Sequence, residues 1–323
     1  MNRRQPSEPL PDIVADAKLE AEVHSNYTKH FYNSSSSTTR RRIRVEIWAR
    51  DKELGHGAFG VVHRERCDDG TVTKLRAVKT IRKTISGHKV DFTRELEAVM
   101  KFSHGKFRHC FVQSYGWYET SEHIFIAMEY LEHGDLQKHL AHPLSEQEAK
   151  LITAQIIEGL GFMHENGFTH RDLKPGKNIM VVTPGPKWFV KIADFGISKR
   201  RHELSTSLHT QGQGTIGFAA PEALGIIDPG RSYTSAVDMW SLGAVVYKIL
   251  TGTVPFPNMQ EALSYCTGKS GFPSDMLDRY CVTRDGQEFI KALMKPDGWR
   301  RLTSTTAAKH PWMTQSDHRS AQI

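Results

Sequence analysis

Apolar residues follow different periods in the two parts of this chain. From about residue 48 to residue 128 they come in short runs: Val61-Val62 just after Gly60, the stretch 75–81, and His123-Ile124-Phe125-Ile126-Ala127-Met128. Short runs rich in Val, Ile and Phe predict strands. One helical stretch interrupts them at about residues 89–102, where Phe92, Leu96 and Val99 share a stripe at helical spacing. From about residue 135 helices dominate. Ser145 and Glu148 have capping-box spacing ahead of Ala149, Ile152, Ile156, Leu160 and Met163, and Asn166-Gly167 stops that helix. Ser235 with Asp238 opens another, apolar nearly all round through Trp240, Leu242, Val245, Val246 and Ile249, which predicts a central place in its domain. No internal repeat is present. The order predicts an α+β chain, a small strand-rich part followed by a larger helical one.

Residues 1–47 show no sustained period. They include Ser34-Ser35-Ser36-Ser37-Thr38-Thr39 and then Arg40-Arg41-Arg42-Ile43-Arg44, and are expected to form a flexible arm. The arginine run reads as a solvated charge run ahead of a nuclear-import or anionic-surface patch. Residues 315–323 are expected to be a tail.

Charge and cysteine usage narrow the classes. With 43 Lys+Arg against 36 Asp+Glu the formal net charge is +7, which permits acidic partners but falls short of a dedicated nucleic-acid binder; no nucleic acid is expected. Cys67, Cys110, Cys266 and Cys281 lie far apart with no metal-ligand spacing, so neither a disulfide framework nor a structural zinc is expected. A reducing compartment, cytoplasm or nucleus, is the natural home. The most apolar stretch, residues 239–250, is well short of the roughly 20 residues of a membrane span, and no signal peptide opens the chain, so no transmembrane segment is expected.

Four short constellations carry chemistry. Leu54-Gly55-His56-Gly57-Ala58-Phe59-Gly60-Val61-Val62 spaces its glycines G-x-G-x-x-G, which lets backbone approach a phosphate closely. The spacing alone also suits dinucleotide folds and ordinary turns; because Val61-Val62-His63-Arg64 continues as a strand, a strand-loop-strand flap over a nucleotide fits better. In Arg76-Ala77-Val78-Lys79-Thr80-Ile81 a lysine sits within an apolar strand. Alone it reads as an edge-strand lysine facing water. At 100° per residue, however, Glu95 falls beside the stripe of the 89–102 helix while Glu97 points away, so Glu95 can face Lys79 and fix its ammonium for phosphate contact. Thr169-His170-Arg171-Asp172-Leu173-Lys174-Pro175 supplies a carboxylate able to accept a hydroxyl proton and a lysine able to neutralise a transferring phosphoryl group. Ile192-Ala193-Asp194-Phe195-Gly196 puts an acid at a strand end, suited to Mg²⁺.

In this order the four motifs resemble a eukaryotic-type serine/threonine protein kinase catalytic domain, over about residues 48–314. Gly214-Thr215-Ile216-Gly217-Phe218-Ala219-Ala220-Pro221-Glu222, Asp238-Met239-Trp240-Ser241-Leu242-Gly243, and Arg301 before His310-Pro311-Trp312 extend the likeness. The resemblance implies a bilobal fold: an antiparallel sheet lobe with one helix at 48–128, a hinge at 129–134 and a mainly helical lobe at 135–314. It implies ATP and Mg²⁺ as cofactors and protein Ser/Thr hydroxyls as acceptors. Asp172 would be the catalytic base and Lys174 its charge-neutralising neighbour. Leu54, Gly55, Gly57, Gly60, Val62 and Ala77 would surround the nucleotide, and Lys79, held by Glu95, would touch its α and β phosphates. Met128 would be the gatekeeper, Glu129 and Leu131 would present backbone groups to adenine, Asp135 would lie near the ribose and Met180 under the base. Asn178 and Asp194 would hold the metal. Arg301 would pair with Glu222 in a structural role. The Phe218 to Glu222 wording is loosely similar to calmodulin-regulated kinases.

One departure stands out. Leu173-Lys174-Pro175-Gly176-Lys177 puts five residues between Asp172 and Asn178 where the family has four. Either Gly176 bulges at positive φ and Asn178 reaches the metal, or the register is kept and Lys177 occupies that place. The second case would make the chain a catalytically weak kinase-like scaffold. Finally, Arg171 beside Asp172 suggests a switch by phosphorylation within residues 194–222, with Thr210 as the acceptor for an upstream kinase and Ser205, Thr206 and Ser207 as rivals.

Overall fold

A computed structural model describes residues 10–34, 42–57, 60–85, 88–89, 92–194, 216–226 and 234–315. The chain divides into two compact units, Met1–Arg108 with Val112–Tyr130, and His109–Phe111 with Leu131–Ile323.

The first unit is built on strands β1 (Ala21–Val23), β2 (Tyr27–Ser34), β3 (Arg42–Gly57), β4 (Gly60–Asp68), β5 (Thr73–Arg82), β8 (Ser114–Glu119) and β9 (His123–Glu129). They form one sheet in the order β1-β2-β3-β4-β5-β9-β8, antiparallel at every pairing. A two-residue pair, β6 (Thr84–Ile85) and β7 (His88–Lys89), leads towards helix α2 (Thr93–Phe102). Strands β5 and β9 are central and covered on both faces, which is why residues 124–127 are all apolar and buried. Ile124 and Ile126 point to a cluster with Leu96 and Met100 of α2, whereas Phe125 and Ala127 point to a second cluster with Val78 and Tyr118.

The expectation of a flexible arm over residues 1–47 does not hold for residues 10–34 and 42–47. A five-residue helix α1 (Asp12–Asp16), β1, β2 and the start of β3 lie there, so this part has a second helix besides α2. Val14 is fully buried, and Leu19, Ala21 and Val23 pack on the second cluster. A helix of five residues and a strand of three are too short to leave a readable period, and β2 turns the polar Thr28 and His30 inward, so it shows no apolar alternation. The packing also explains a buried charge. Arg76 (1% exposed) pairs with Glu65 (2%) at 2.6 Å, its guanidinium lying 4.2 Å from the Trp48 ring centroid, under cover of β2.

The second unit holds helix α3 (Glu146–Glu165), the hairpin β10 (Ile179–Thr183) and β11 (Phe189–Ile192), and helices α4 (Ala236–Thr251), α5 (Met259–Cys266), α6 (Asp275–Arg279), α7 (Arg284–Leu293), α8 (Ser304–Ala308) and α9 (Pro311–Thr314). The capping box at the start of α3 is present: Glu148 N–H donates to Ser145 Oγ at 3.3 Å and Ser145 N–H donates to Glu148 Oε2 at 3.1 Å. Gly167, at φ +76°, turns the chain after it. Gly159 lets β11 approach α3, since a Cβ there would stand 2.7 Å from Ile192 Cδ1. Helix α4 is buried nearly all round and ends on Gly252 in the left-handed region. At its start Ser235 is the N-cap residue but makes no side-chain cap bond, so the expected capping box with Asp238 is absent. All four cysteines are free thiols.

Candidate active site

In the first unit the glycine run lies where two long strands turn. Gly55 pairs with Val62 and Gly57 with Gly60, while Ala58 and Phe59 lie outside the described residues. The glycines serve different ends. Gly55 has open space where a Cβ would stand, whereas a Cβ on Gly60 would overlap the Thr80 carbonyl of β5. Leu54, just before the run, is exposed.

Cross-strand register collects the predicted nucleotide residues on one face. Val62 pairs with Lys79, and Ala77 with Met128; Ala77 and Lys79, two apart on β5, point the same way. Lys79 is therefore a central-strand residue, not an edge lysine. Its Nζ meets Glu95 Oε1 at 2.6 Å, with the Glu95 side chain 6% exposed. The helical phase of α2 thus turns Glu95 inward. At the end of β9, Glu129 is doubly tied to Gln113: its N–H donates to the Gln113 carbonyl at 2.9 Å, and its Oε1 accepts the Gln113 N–H at 2.8 Å.

In the second unit the Leu131 carbonyl accepts the Gly134 N–H, and Asp135 forms an isolated antiparallel bridge with Met180, bringing those two predicted residues together. The loop carrying Asp172 hangs from a buried carboxylate that the sequence places in a helix cap and in a run of the kinase likeness, without indicating this role. Asp238, 0% exposed, accepts the backbone N–H of His170 at 2.8 Å (Oδ2) and of Arg171 at 2.7 Å (Oδ1), with His164 Nε2 at 2.8 Å from Oδ2. His170, also buried, bridges outward: its Nε2 lies 3.1 Å from the Ala193 carbonyl and its Nδ1 accepts the Asp172 N–H. Lys174 Nζ sits 3.0 and 2.8 Å from the two carboxylate oxygens of Asp172. The sequence signals for Asp238 are its place at the start of an otherwise apolar helix and in the run Asp238-Met239-Trp240-Ser241-Leu242-Gly243 that extends the kinase likeness, neither of which says which groups it binds.

The extra residue is absorbed in an irregular turn over 175–178. Lys177, exposed, takes the positive φ of +75° while Gly176 stays at −81°, so the bulge is real but the residue expected to adopt positive φ does not. A left-handed lysine costs about 1–2 kcal/mol relative to an ordinary conformation. Asn178 keeps the register: its carbonyl accepts the Ala193 N–H at 2.8 Å, and Ile179 pairs with Ile192. Asn178 and Asp194 accordingly flank the same end of the β10–β11 hairpin. The Asn178 side chain is buried, and neither of its polar atoms has a hydrogen-bond partner among the described residues. Among the described residues the non-glycine positive-φ positions are Arg171, Lys177, Asp194 and Cys281, so backbone strain gathers at the predicted site.

Elsewhere in this unit Arg301 binds Glu222 through two bonds of 2.6 and 2.8 Å, as expected, and also donates to the carbonyls of Lys295, Ala236 and Pro296. Sequence spacing missed a third polar group, His109, Cys110 and Glu158. The imidazole lies 3.0 Å from the Glu158 carboxylate, and burial together with that carboxylate pushes the thiol up to about 12, so it is protonated at neutral pH. Phe195, Gly196, Thr215, Thr210 and its rivals Ser205, Thr206 and Ser207 lie outside the described residues.

Comparison with known proteins agrees with this geometry. The model of the protein kinase domain matches residues 48–313. The serine/threonine-protein kinase RAD53 of Saccharomyces cerevisiae is 33% identical over 279 residues, covering 82% of this chain and 33% of that protein. The serine/threonine-protein kinase cds1 of Schizosaccharomyces pombe is 32% identical over 280 residues, covering 83% and 58%. Calcium/calmodulin-dependent protein kinase type IV of Mus musculus is 33% identical over 273 residues, covering 82% and 54%. The chain thus matches only a third to three-fifths of the length of these relatives. A crystal structure of the Rad53 kinase domain and SCD2 superposes with a TM-score of 0.62 at 30% identity, covering 83% of this chain and 89% of that one. The corresponding structure in complex with AMPPNP gives 0.59 at 29%, covering 80% and 90%. With the kinase motifs in place on a matching α+β fold, this chain belongs to the protein kinase family.

Proposed function

We propose that this chain transfers the γ-phosphoryl group of ATP to serine or threonine hydroxyls of protein substrates, with Mg²⁺. The observation that carries this reading is the Asp172–Lys174 pair on a loop whose backbone is hung from buried Asp238. Asp172 accepts the proton of the acceptor hydroxyl, and Lys174 neutralises charge beside it. In the first unit Lys79, oriented by Glu95, contacts the α and β phosphates under the glycine turn of Gly55, Gly57 and Gly60. Leu54, Val62, Ala77, Met128 and Glu129 in the first unit, and Leu131, Asp135 and Met180 in the second, serve the nucleoside.

The donor set suits a hard cation. A buried amide at Asn178, without partners among the described residues, and the carboxylate of Asp194 at the same hairpin end are oxygen donors of the type Mg²⁺ takes. When bound, Mg²⁺ supplies charge neutralisation on the phosphate oxygens. Because Asn178 holds its register and Lys177 is exposed, the loop supports the active reading over the scaffold one. Arg171, whose buried Nε has no partner among the described residues, is the cation this reading offers to a phosphorylated residue of the 194–222 segment, with Thr210 the site of an upstream kinase. Four free thiols suit the cytoplasm or nucleus, and no helix among the described residues is long and apolar enough to cross a membrane.

Asp172→Asn tests the assignment. Transfer of label from γ-labelled ATP to a generic basic protein should fall by about 10²–10⁴-fold while ATP affinity stays within about threefold, the range expected of a lost general base. Undiminished transfer would remove Asp172 from the role.

A further inference from the structure

The segment before the kinase match is wound into the first unit. β1 lies at one edge of its sheet and β8 at the other. One run of chain, residues 17–23, is hydrogen-bonded to β8 at its start and, as β1 itself, to β2 at its end. The Leu19 N–H donates to the Trp117 carbonyl at 2.7 Å and the Trp117 N–H donates to the Ala17 carbonyl at 3.2 Å, after which residues 21–23 pair with β2. The run therefore joins the β8 edge at Trp117 to the β1 end of the sheet. Gly116 makes the crossing possible: it sits at φ +121°, and a Cβ there would come within 2.7 Å of the Ala17 carbonyl oxygen and 2.8 Å of Leu19 Cγ.

This anchoring delivers α1 onto α2. Val14 is fully buried in one cluster with Leu96 and Met100 of α2, Trp117 of β8 and Ile81 of β5. The Trp117 indole donates to the Val14 carbonyl at 2.6 Å, and Lys18 closes the exit through Glu119 at 2.5 Å. Helix α2 itself is weakly specified. It has ten residues, and Phe92 at its N-cap provides no side-chain cap bond. Short uncapped helices take their stability and position from tertiary packing. Leu96, which meets Val14's cluster, is the next residue after Glu95.

We propose that residues 10–19 are a built-in positioning element that holds α2 and, through it, keeps Glu95 on Lys79. The functional importance of that ion pair rests on the kinase reading above. Val14 is thus a positioning residue, touching neither nucleotide nor acceptor.

The test uses the full chain. Val14→Asp puts a carboxylate in the cluster, Val14→Ala is a milder version should the first fail to fold, and Val14→Ile keeps the contact. Each is combined with Glu95→Gln. The disruptive variants should lower kcat/KM for ATP by about tenfold in the otherwise unmodified chain but less than about twofold in the Glu95→Gln background, the signature of a shared interaction, and Val14→Ile should restore the parent value. Equal factors in both backgrounds, or no effect from any disruptive variant that folds, would overturn the proposal. Amide hydrogen exchange gives an arm that needs no turnover. Below the melting temperature, Val14→Ala should speed exchange in α2 and leave α3 and α4 unchanged; unchanged exchange in α2 would overturn the proposal. A parent chain that transfers no phosphate would sink the proposed function and leave this inference to be judged on exchange alone.

Discussion

Each unit buries a charge, and the two are satisfied in opposite ways. In the first, Arg76 and Glu65 neutralise each other at 2.6 Å, with His30 Nε2 at 2.9 Å from the guanidinium. In the second, the groups that meet Asp238 among the described residues are the backbone N–H groups of His170 and Arg171 and the ring of His164. A side-chain pair fastens strands that are already hydrogen-bonded, so it bears on stability. A carboxylate that grips loop amides sets where the next residue, Asp172, stands, so it bears on activity. The location of the partner atoms, side chain or main chain, separates the two roles.

The comparison is broken most severely by removing one member of the ion pair. Glu65→Ala leaves a buried guanidinium uncompensated and should cost about 3–5 kcal/mol in denaturant unfolding. For the molecules still folded, phosphate transfer per active site should change less than about threefold, since Glu65 pairs with Arg76, three residues from Lys79, and so faces the opposite side of the sheet. A comparable loss of transfer in the folded fraction would show that the two roles are not separable.

Asp238→Asn makes the converse change. The amide keeps one acceptor but turns an NH₂ towards a backbone N–H, so one loop amide loses its partner, at about 1–3 kcal/mol. We expect kcat to fall about tenfold to a hundredfold, as a displaced loop would produce, with KM for ATP nearly unchanged. A melting temperature that collapses with no kinetic change in the folded enzyme would reverse the assignment.

A smaller effect, in pH, sharpens the picture of the first cluster. His30 is fully buried, and burial, followed by the positive charge of Arg76, lowers its pKa to about 4 from the ordinary 6.5. The Nδ1–H donating to the Glu20 carbonyl at 3.2 Å leaves Nε2 to accept from Arg76. Above pH 6.5 the ring is neutral folded or unfolded and stability does not depend on it. As pH falls below 6.5 the unfolded chain takes up a proton that the folded chain refuses, so stability declines until about pH 4 and then levels. The decline should total on the order of 3 kcal/mol. Urea unfolding of wild type and His30→Gln across that range checks it: the variant should lose this component of the slope, and identical profiles would contradict the buried neutral ring.

The residues to which the proposed function gives chemistry are legible in the chain because each is tied to a local signal. Asp172, Lys174 and Asp194 sit in contiguous motifs, and a helical phase of 100° was enough to choose Glu95 over Glu97 as the partner of Lys79. The capped α3 and the buried α4 follow from period alone. Two features were settled only by tertiary structure. Within residues 10–34, α1 and β1 are too short for a period and β2 buries the polar Thr28 and His30, while the run 14–19 is held by β8 about a hundred residues later in the chain, at Trp117. Asp238 and Asn178 acquire their places from backbone atoms of His170, Arg171 and Ala193 that no spacing rule reaches. A one-dimensional pattern records which residues share a face of one element. It cannot record which main-chain atoms of another element will complete a buried group, because that depends on how the elements dock.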